Sequence, residues 1–392
     1  MQPLRGVTVV ALEQAIAAPI VTRHLADLGA RVIKIERPEV GDFARAYDHT
    51  VRGMSSHFVW ANRSKESLTL DVKQPAADEV LHRLLSKADV FIQNLAPGAC
   101  DRLGLSNAEL RKKYPRLIIC NVSGYGSTGP YRDRRAYDML VQSEAGLVAV
   151  TGTEETPSKV GISISDIAAG MYAYSGILTA LLMRKETGQG TAMEVSLLES
   201  IGEWMGYAAY YTEYGGAAPA RAGAKHVAIA PYGPFISSDG KQVMLAVQSP
   251  REWNRFCEKV LRRPELERDP RFATNSARVQ HRSAMDGIVQ EALGKLPMSE
   301  IVSLLDEAQM AYGRMNSVQE FVDHPQLAAR GRWREVDSPV GPLKALVPPV
   351  TMEGVEPRMD AIPKLGQHTD AILRELGFDS ATIAAWRQAK MI

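Results

Sequence analysis

The chain has 392 residues, of which 45% are hydrophobic and 23% charged, and its 46 basic and 45 acidic side chains nearly balance. This composition predicts a soluble globular protein of two or three domains and gives no indication of a nucleic-acid partner. No uninterrupted apolar run approaches the ~20 residues of a membrane span, so no membrane segment is expected. Three widely spaced cysteines and the lack of a signal-peptide pattern favour the cytoplasm and predict neither disulfides nor a metal site.

The N-terminal region has the pattern of a βαβ unit. Val7–Leu12 is an apolar, β-branched run typical of a buried strand, and a helix that starts near Pro19 ends at Gly29. Arg31–Glu36 is predicted to be the second strand. The unit indicates an α/β fold with a Rossmann-like parallel sheet. It lacks GxGxxG, so no nicotinamide or flavin cofactor is predicted.

Three further strands are predicted, separated by helices at 75–87 and 106–113: Leu68–Val72, Asp89–Gln93 and Leu117–Val122. Ligands of such sheets bind outside the carboxyl ends of the strands, which points to Arg37-Pro38, Asn94–Gly98 and Ser123–Gly126. Basic residues gather near these loops: Lys34, Arg37, Arg63, Lys65, Arg102, Arg134 and Arg135. Each alone is compatible with a surface charge, but together they favour an anionic, phosphate-bearing ligand.

A long apolar helix is predicted from the Ser163–Asp166 run to Arg184. One side of it is rich in small residues. Gly170 and Gly176 each cost the helix roughly 1 kcal/mol relative to Ala, which indicates that another backbone or a ligand must come very close there. Asp166 at its start could cap the first N–H groups, or could serve as a nucleophile that the helix dipole keeps ionised. The residues themselves leave both roles open.

The second half of the chain predicts a smaller α+β domain. Helices are expected over 137–148, up to about 214, and over 252–262 and 283–309, with strands at 229–236 and 242–247. A Gly- and Pro-bearing stretch at 214–223 indicates a linker. We therefore predict a large domain over 1–214, a small domain over 225–325, and a C-terminal segment over 330–392 that returns to the large domain and ends with a helix at 369–376.

Ordered motifs along nearly the whole chain point to one family: Leu25–Pro38 with Gly41-Asp42, Asn62–Leu68, Asn94–Gly98, Arg102–Gly104, Gly124–Pro130, Tyr137-Asp138, Asp166, Gly188–Gly190 and Leu365–Asp370. Together they resemble the class III CoA-transferase family, also called CaiB/BaiF. The resemblance implies a Rossmann-like domain built from both ends of the chain, a small domain, and an interlocked homodimer. It implies coenzyme A and acyl-CoA as substrates, with no permanently bound cofactor.

The same resemblance implies roles for individual residues. Asp166 would be the nucleophile, passing through a mixed anhydride and an aspartyl-CoA thioester, and Gln14 and Tyr137 would be the other catalytic residues. Arg37, Arg102 and Arg135, with Lys65, would hold the CoA phosphates, and Asn94 lies in a CoA-contacting loop. Either backbone N–H groups or Gln14 would stabilise the oxyanion at the thioester carbonyl.

Two other functions are compatible with this fold. Acyl-CoA racemases of the same fold carry Gly-His-Asp where this chain reads Ala136-Tyr137-Asp138, and a neutral Tyr is a poor base at pH 7. A non-catalytic CoA-binding subunit is the third possibility, and the presence of Asp166 argues against it. Among transferases, the opening segment looks most like members that use succinyl-CoA and short dicarboxylates such as itaconate, mesaconate, citramalate or malate. Arg45, Tyr137 and His226 are candidates for the acceptor's second carboxylate.

Overall fold

The computed structural model describes residues 1–392 and divides them into two compact units. The first consists of residues 1–145, 160–206 and 327–392, and the second of residues 146–159 and 207–326. These boundaries differ from the predicted ones, since residues 146–159 and 207–214 belong to the smaller unit rather than to the large domain. Both ends of the chain lie in the first unit.

A six-stranded sheet forms the centre of the first unit, with strands β1 (Thr8–Leu12), β2 (Arg31–Glu36), β3 (Glu66–Thr69), β4 (Val90–Gln93), β5 (Ile118–Ser123) and β6 (Ala192–Ser196). All neighbouring pairs are parallel, and the strand order is β3-β2-β1-β4-β5-β6. This is the strand order of a doubly wound Rossmann sheet, whose switch point lies between β1 and β4. The predicted α/β class and parallel sheet are confirmed.

Eighteen α-helices follow in chain order: α1 Ala17–Asp27, α2 Ser56–Ala61, α3 Ala77–Leu85, α4 Ala99–Arg102, α5 Asn107–Lys113, α6 Asp138–Glu144, α7 Leu147–Val150, α8 Ile164–Thr187, α9 Leu197–Trp204, α10 Gly206–Gly215, α11 Pro250–Arg255, α12 Asn275–Gln280, α13 Arg282–Leu293, α14 Met298–Glu307, α15 Val318–Val322, α16 Pro325–Ala329, α17 Thr369–Glu375 and α18 Ser380–Gln388. Short 3₁₀ helices span Phe43–Ala46 and Pro264–Glu267, and α11 continues into a π-helix at Phe256–Val260.

Three predicted helices are shorter than expected. The helix over 137–148 breaks at Gly146, which has a φ of 77° that a helix cannot accommodate. The helix over 283–309 splits into α13 and α14 before Pro297, which cannot continue it. The helix that was expected to reach Tyr214 is divided at Met205 into α9 and α10.

The long helix α8 packs closely on α1. A Cβ atom added at Gly170 would lie 3.0 Å from the carbonyl oxygen of Ala17, and one at Gly176 would lie 3.1 Å from the sulfur of Met193. The expectation that another backbone comes very close to this helix is therefore confirmed at Gly170, whereas Gly176 meets a side chain. By length and composition α8 is also the chain's one candidate for a membrane span. Its other side exposes Leu182 and Met183.

The smaller unit has an antiparallel three-stranded sheet with the order β7-β8-β9, formed by Tyr232–Ile236, Gln242–Ala246 and Ala311–Arg314. Its helices surround a core that contains the buried aromatic rings of Trp253, Phe256 and Phe272. The first unit also contains an antiparallel pair, β10 (Trp333–Val336) and β11 (Leu343–Leu346). Strands β6 and β9 to β11 were not predicted, and neither were the short helices α2, α4, α12, α15 and α16 or the C-terminal helix α18.

Candidate active site

A cleft of about 1950 Å³ opens in the first unit where four strands of the sheet end. It is lined by residues that follow β1, β2, β4 and β5, among them Gln14, Arg37, Asn94 and Gly124. The loops that were predicted to face a ligand therefore border one cleft. The cleft exceeds the ~300–1000 Å³ of an ordinary small-molecule pocket, so it suits a long ligand.

The loop after β1 is clamped in a specific conformation. The Gln14 N–H donates to Asn94 Oδ1 and Asn94 Nδ2 donates to the Gln14 carbonyl, both at 2.8 Å. Ala15, at a φ of 61°, donates its N–H to Asp42 Oδ1 at 3.1 Å. Because both backbone N–H groups are occupied, the donors that remain for an oxyanion are the Gln14 carboxamide and the first N–H groups of α1. That helix has no side-chain cap.

Beneath this loop lies a buried cluster of charges. Lys65 Nζ donates to Glu13 Oε1 at 2.7 Å and to the Pro19 carbonyl at 2.9 Å, and Lys34 Nζ is 2.7 Å from Asp42 Oδ2. Burial lowers the pKa of Lys65 to about 7 despite the attraction of Glu13. Burial alone would raise the pKa of Glu13, but Lys65 and Lys34 outweigh it and hold that pKa below its usual value.

The cluster corrects one prediction. The side chain of Lys65 is 0% exposed and does not line the cleft, so it does not hold a phosphate in this structure. Its ammonium has Glu13, Pro19 and Asn62 as acceptors, and each would have to be given up for a ligand. Lys65 supports the loop that carries Gln14 instead.

Asp166 lies in the first turn of α8 and its half-buried carboxyl group faces the cleft. The carboxylate accepts no hydrogen bond and forms no ion pair within the protein. Burial, together with repulsion from Asp138, raises the pKa of Asp166 to about 7. This corrects the expectation that the helix dipole holds Asp166 ionised, since near pH 7 about half of the group is protonated.

Asp166 is not the cap of α8 either. Asp138 Oδ1 accepts the N–H groups of Ser165 at 2.7 Å and of Asp166 at 3.3 Å. Gln142 Nε2 donates to the other oxygen of Asp138 at 2.7 Å, and Gln142 Oε1 accepts from the Val160 N–H at 3.0 Å. Asp138 therefore takes the capping place, which frees the Asp166 carboxylate for a ligand.

The three arginines predicted to hold phosphates all line the cleft. Arg37, Arg102 and Arg135 are exposed and form no ion pair in the structure. The neighbouring Arg134 differs, because its guanidinium lies 3.6 Å from Glu144 and stacks on the ring of Tyr131. The predicted set thus retains its charge for a ligand.

Two predicted substrate residues lie elsewhere. Arg45 donates from Nε and Nη2 to the Glu36 carboxylate at 2.8 Å each and stacks on the ring of Phe58, so it is not available to an acceptor. His226 belongs to the smaller unit, where its ring stacks on Tyr232 and its Nδ1 accepts from the Ala228 N–H. Neither residue lines the cleft.

Tyr137 lines the cleft, as predicted, and is 63% exposed. The cleft is also lined by two hydrogen-bonding residues that were not predicted, Tyr47 and His57. Tyr47 and His57 lie edge to face, with ring centroids 5.3 Å apart. Burial and the negative charges of Asp42 and Asp166 raise the pKa of Tyr47 to about 12, so its phenol remains a hydrogen-bond donor. No motif or spacing in the sequence marks Tyr47 or His57. Asp138 was part of the Tyr137-Asp138 motif, which could have drawn attention to it.

This fold and this cleft define the class of protein. The sequence profile described as CoA-transferase family III matches residues 4–369, and the chain belongs to that family as a CoA-transferase. The succinyl-CoA:glutarate CoA-transferase of Mus musculus is 33% identical over 392 residues, which cover 98% of this chain and 88% of the relative. The acetyl-CoA:oxalate CoA-transferase of Acetobacter aceti is 36% identical over 330 residues, covering 84% of each protein. A CaiB/BaiF family protein from Brucella suis is similar in structure, with a TM-score of 0.83, 34% identity, and coverage of 95% of this chain and 99% of that one.

Proposed function

We propose that this enzyme moves CoA from succinyl-CoA to a short dicarboxylic acid through covalent intermediates on Asp166. The observation that carries the proposal is the content of one cleft: an unpartnered carboxylate at Asp166 and the three unpaired guanidinium groups of Arg37, Arg102 and Arg135. A carboxylate that attacks a thioester and later returns unchanged is the simplest catalyst for exchanging CoA between two acids.

The steps follow from that chemistry. Asp166 attacks the succinyl carbonyl, the C–S bond breaks, and a succinyl–aspartyl anhydride and CoA thiolate result. The thiolate attacks the aspartyl carbonyl, which releases succinate and leaves an aspartyl-CoA thioester. The acceptor carboxylate then attacks the carbonyl of that thioester, the C–S bond breaks, and a second anhydride and free CoA thiolate result. The thiolate takes the acceptor's acyl group and restores the Asp166 carboxylate.

Each other group has one task. Arg37, Arg102 and Arg135 bind the CoA phosphates, because guanidinium donors match phosphate oxygens in pairs. The Gln14 carboxamide, with the N–H groups at the start of α1, stabilises the oxyanion that forms at each attacked carbonyl. Asn94 contributes through the loop, since both ends of its amide are bound to the Gln14 backbone.

We further propose that Tyr47, His57 and Tyr137 recognise the second carboxylate of the acceptor, in place of Arg45 and His226. All three line the cleft and can donate a hydrogen bond. Both transferase relatives above are named for dicarboxylate acceptors, glutarate in one case and oxalate in the other. These names support a dicarboxylate here and argue against the racemase alternative.

A panel of acids with succinyl-CoA, read by the mass of the thioester formed, tests the substrate class. We expect conversion of four- and five-carbon dicarboxylates, with an Asp166→Asn variant as the inactive control. Conversion of monocarboxylates alone would contradict a dicarboxylate acceptor, and conversion of oxalate alone would contradict the four- to five-carbon range. An acceptor labelled with ¹⁸O in its carboxylate tests the mechanism, since the bridging oxygen of the second anhydride remains on the enzyme. One ¹⁸O atom should appear in the peptide that contains Asp166.

Two helices expose apolar and aromatic surface that a partner could cover. Large apolar side chains are exposed on α8, such as Leu182 and Met183, and tyrosines such as Tyr210 and Tyr214 are exposed on α10. Such patches mark contact surfaces, and we propose that a second copy of the chain covers them as a homodimer. Light scattering should give twice the 42.9 kDa mass of one chain. We propose a cytoplasmic enzyme, and cell fractionation checks this.

A further inference from the structure

The contact between Asp138 and the start of α8 has a consequence for the reaction. The first-turn N–H groups that usually receive an N-cap side chain are those of Ser165 and Asp166, and one oxygen of Asp138 accepts both. Ser163, which precedes the helix, provides no side-chain cap. A negative charge from α6 therefore occupies the positive end of α8, beside a residue that must itself alternate between charged and neutral forms.

Asp138 is held firmly in that position. Its second oxygen accepts from Gln142 Nε2, and the Gln142 side chain is completely buried. The side-chain oxygen Oε1 of Gln142 in turn accepts a hydrogen bond from the Val160 N–H. This chain of hydrogen bonds uses Gln142 as a donor toward Asp138 and as an acceptor toward the backbone, so it fixes Asp138 as an acceptor on both oxygens.

The surroundings of Asp166 contain no cation that would offset this charge through an ion pair. The titratable groups that share the cleft with Asp166 include Asp138 on α6, Tyr137 just before α6, Tyr47, and His57 on α2. Arg135 lines the same cleft. Acylation or thioester formation at Asp166 removes its charge, and with it the repulsion between two neighbouring carboxylates.

We propose that Asp138 is a positioning residue that stabilises the covalent aspartyl-CoA form of the enzyme relative to the free carboxylate. It fixes the Asp166 backbone through the N–H group and disfavours the charged side chain, so the balance moves toward the neutral thioester. The raised pKa of Asp166 agrees with this role. The inference rests on Asp166 being the nucleophile.

The double variant Asp138→Asn with Gln142→Glu tests it. The amide introduced at position 138 still offers an oxygen to the two N–H groups. The carboxylate introduced at position 142 can accept from that amide and from the Val160 N–H, so the hydrogen bonds are kept while the charge moves away from Asp166. The enzyme is mixed with succinyl-CoA and excess succinate, aspartyl-CoA is trapped with hydroxylamine, and the hydroxamate is measured by peptide mass. The double variant should contain at least tenfold less aspartyl-CoA than the native enzyme. The inflection of kcat/KM against pH should fall by at least one unit.

Asp138→Ser provides a second variant, since the new hydroxyl can accept one N–H without carrying a charge, and the same two changes are expected. If Asp138 only holds the helix, both variants will lower the rate while the inflection and the trapped fraction of active enzyme stay at their native values. That outcome would overturn the inference. Failure of the proposed function looks different, because the native enzyme itself would then yield no hydroxamate at Asp166.

Discussion

The activity of the native enzyme should depend steeply on pH if Asp166 attacks as a carboxylate with a pKa of about 7. Only the ionised form is a nucleophile, and kcat/KM for succinyl-CoA reports the ionisation of the free enzyme. With a pKa of about 7, the ionised fraction rises from about 3% at pH 5.5 to about 97% at pH 8.5, a gain of about 30-fold. A carboxyl at the ordinary 3.8 would be ionised throughout this range and the profile would be flat.

The assay is the initial rate of thioester exchange at low succinyl-CoA, measured between pH 5.5 and 8.5 in buffers of constant ionic strength. The Arg102→Ala variant is a matched control, because it weakens phosphate binding without touching Asp166 and should keep the same inflection at a lower rate. A native profile that changes less than threefold would refute the environment derived for Asp166. An inflection that moves with Arg102→Ala would assign the titration to another group.

Three more substitutions test the architecture. Lys65→Met should lower the melting temperature, because breaking a buried pair costs roughly 3–5 kcal/mol, and leave the KM for succinyl-CoA unchanged; a raised KM at native stability would restore Lys65 to the phosphate site. Arg102→Ala should raise the KM for succinyl-CoA at least tenfold, since a charge-assisted hydrogen bond contributes about 1.5–3 kcal/mol. The KM for a succinyl thioester without phosphates should not change, and equal effects on both would count against phosphate binding. Gly170→Ala should lower the melting temperature, because its Cβ would lie 3.0 Å from the Ala17 carbonyl oxygen, whereas Gly202→Ala on α9 meets open space and should not; equal melting temperatures would contradict the close packing.

The sequence contained what was needed for the sheet and for the loops around the cleft. Strands such as β1 and β2 are short β-branched runs bounded by turn residues, which are local signals, and the residues after them follow from the topology. Arg37, Arg102 and Arg135 lie near these loops in the sequence, so their position at the cleft could be predicted for the same reason. Lys65 and Arg45 could not be placed. Glu13 lies 52 residues from Lys65, and although Glu36 lies only nine residues from Arg45, nothing in the sequence separates a buried ion pair from a ligand contact. The role of Asp138 has the same cause, since it caps a helix to which it does not belong.

The packing of Gly170 against Ala17 ties the start of α8 to the start of α1, on two sides of the cleft. The glycine lies one turn beyond Asp166, and Ala17 begins the helix that follows Gln14, so the proposed nucleophile and the proposed oxyanion donor lie on two elements that this contact holds together. Tyr47 and His57 belong to a different stretch, between Phe43 and Ala61. Substitutions in that stretch can therefore change which acid is accepted while the bond-making apparatus stays intact. Under this proposal, few substitutions would be needed for an enzyme of this family to change the acid that it accepts.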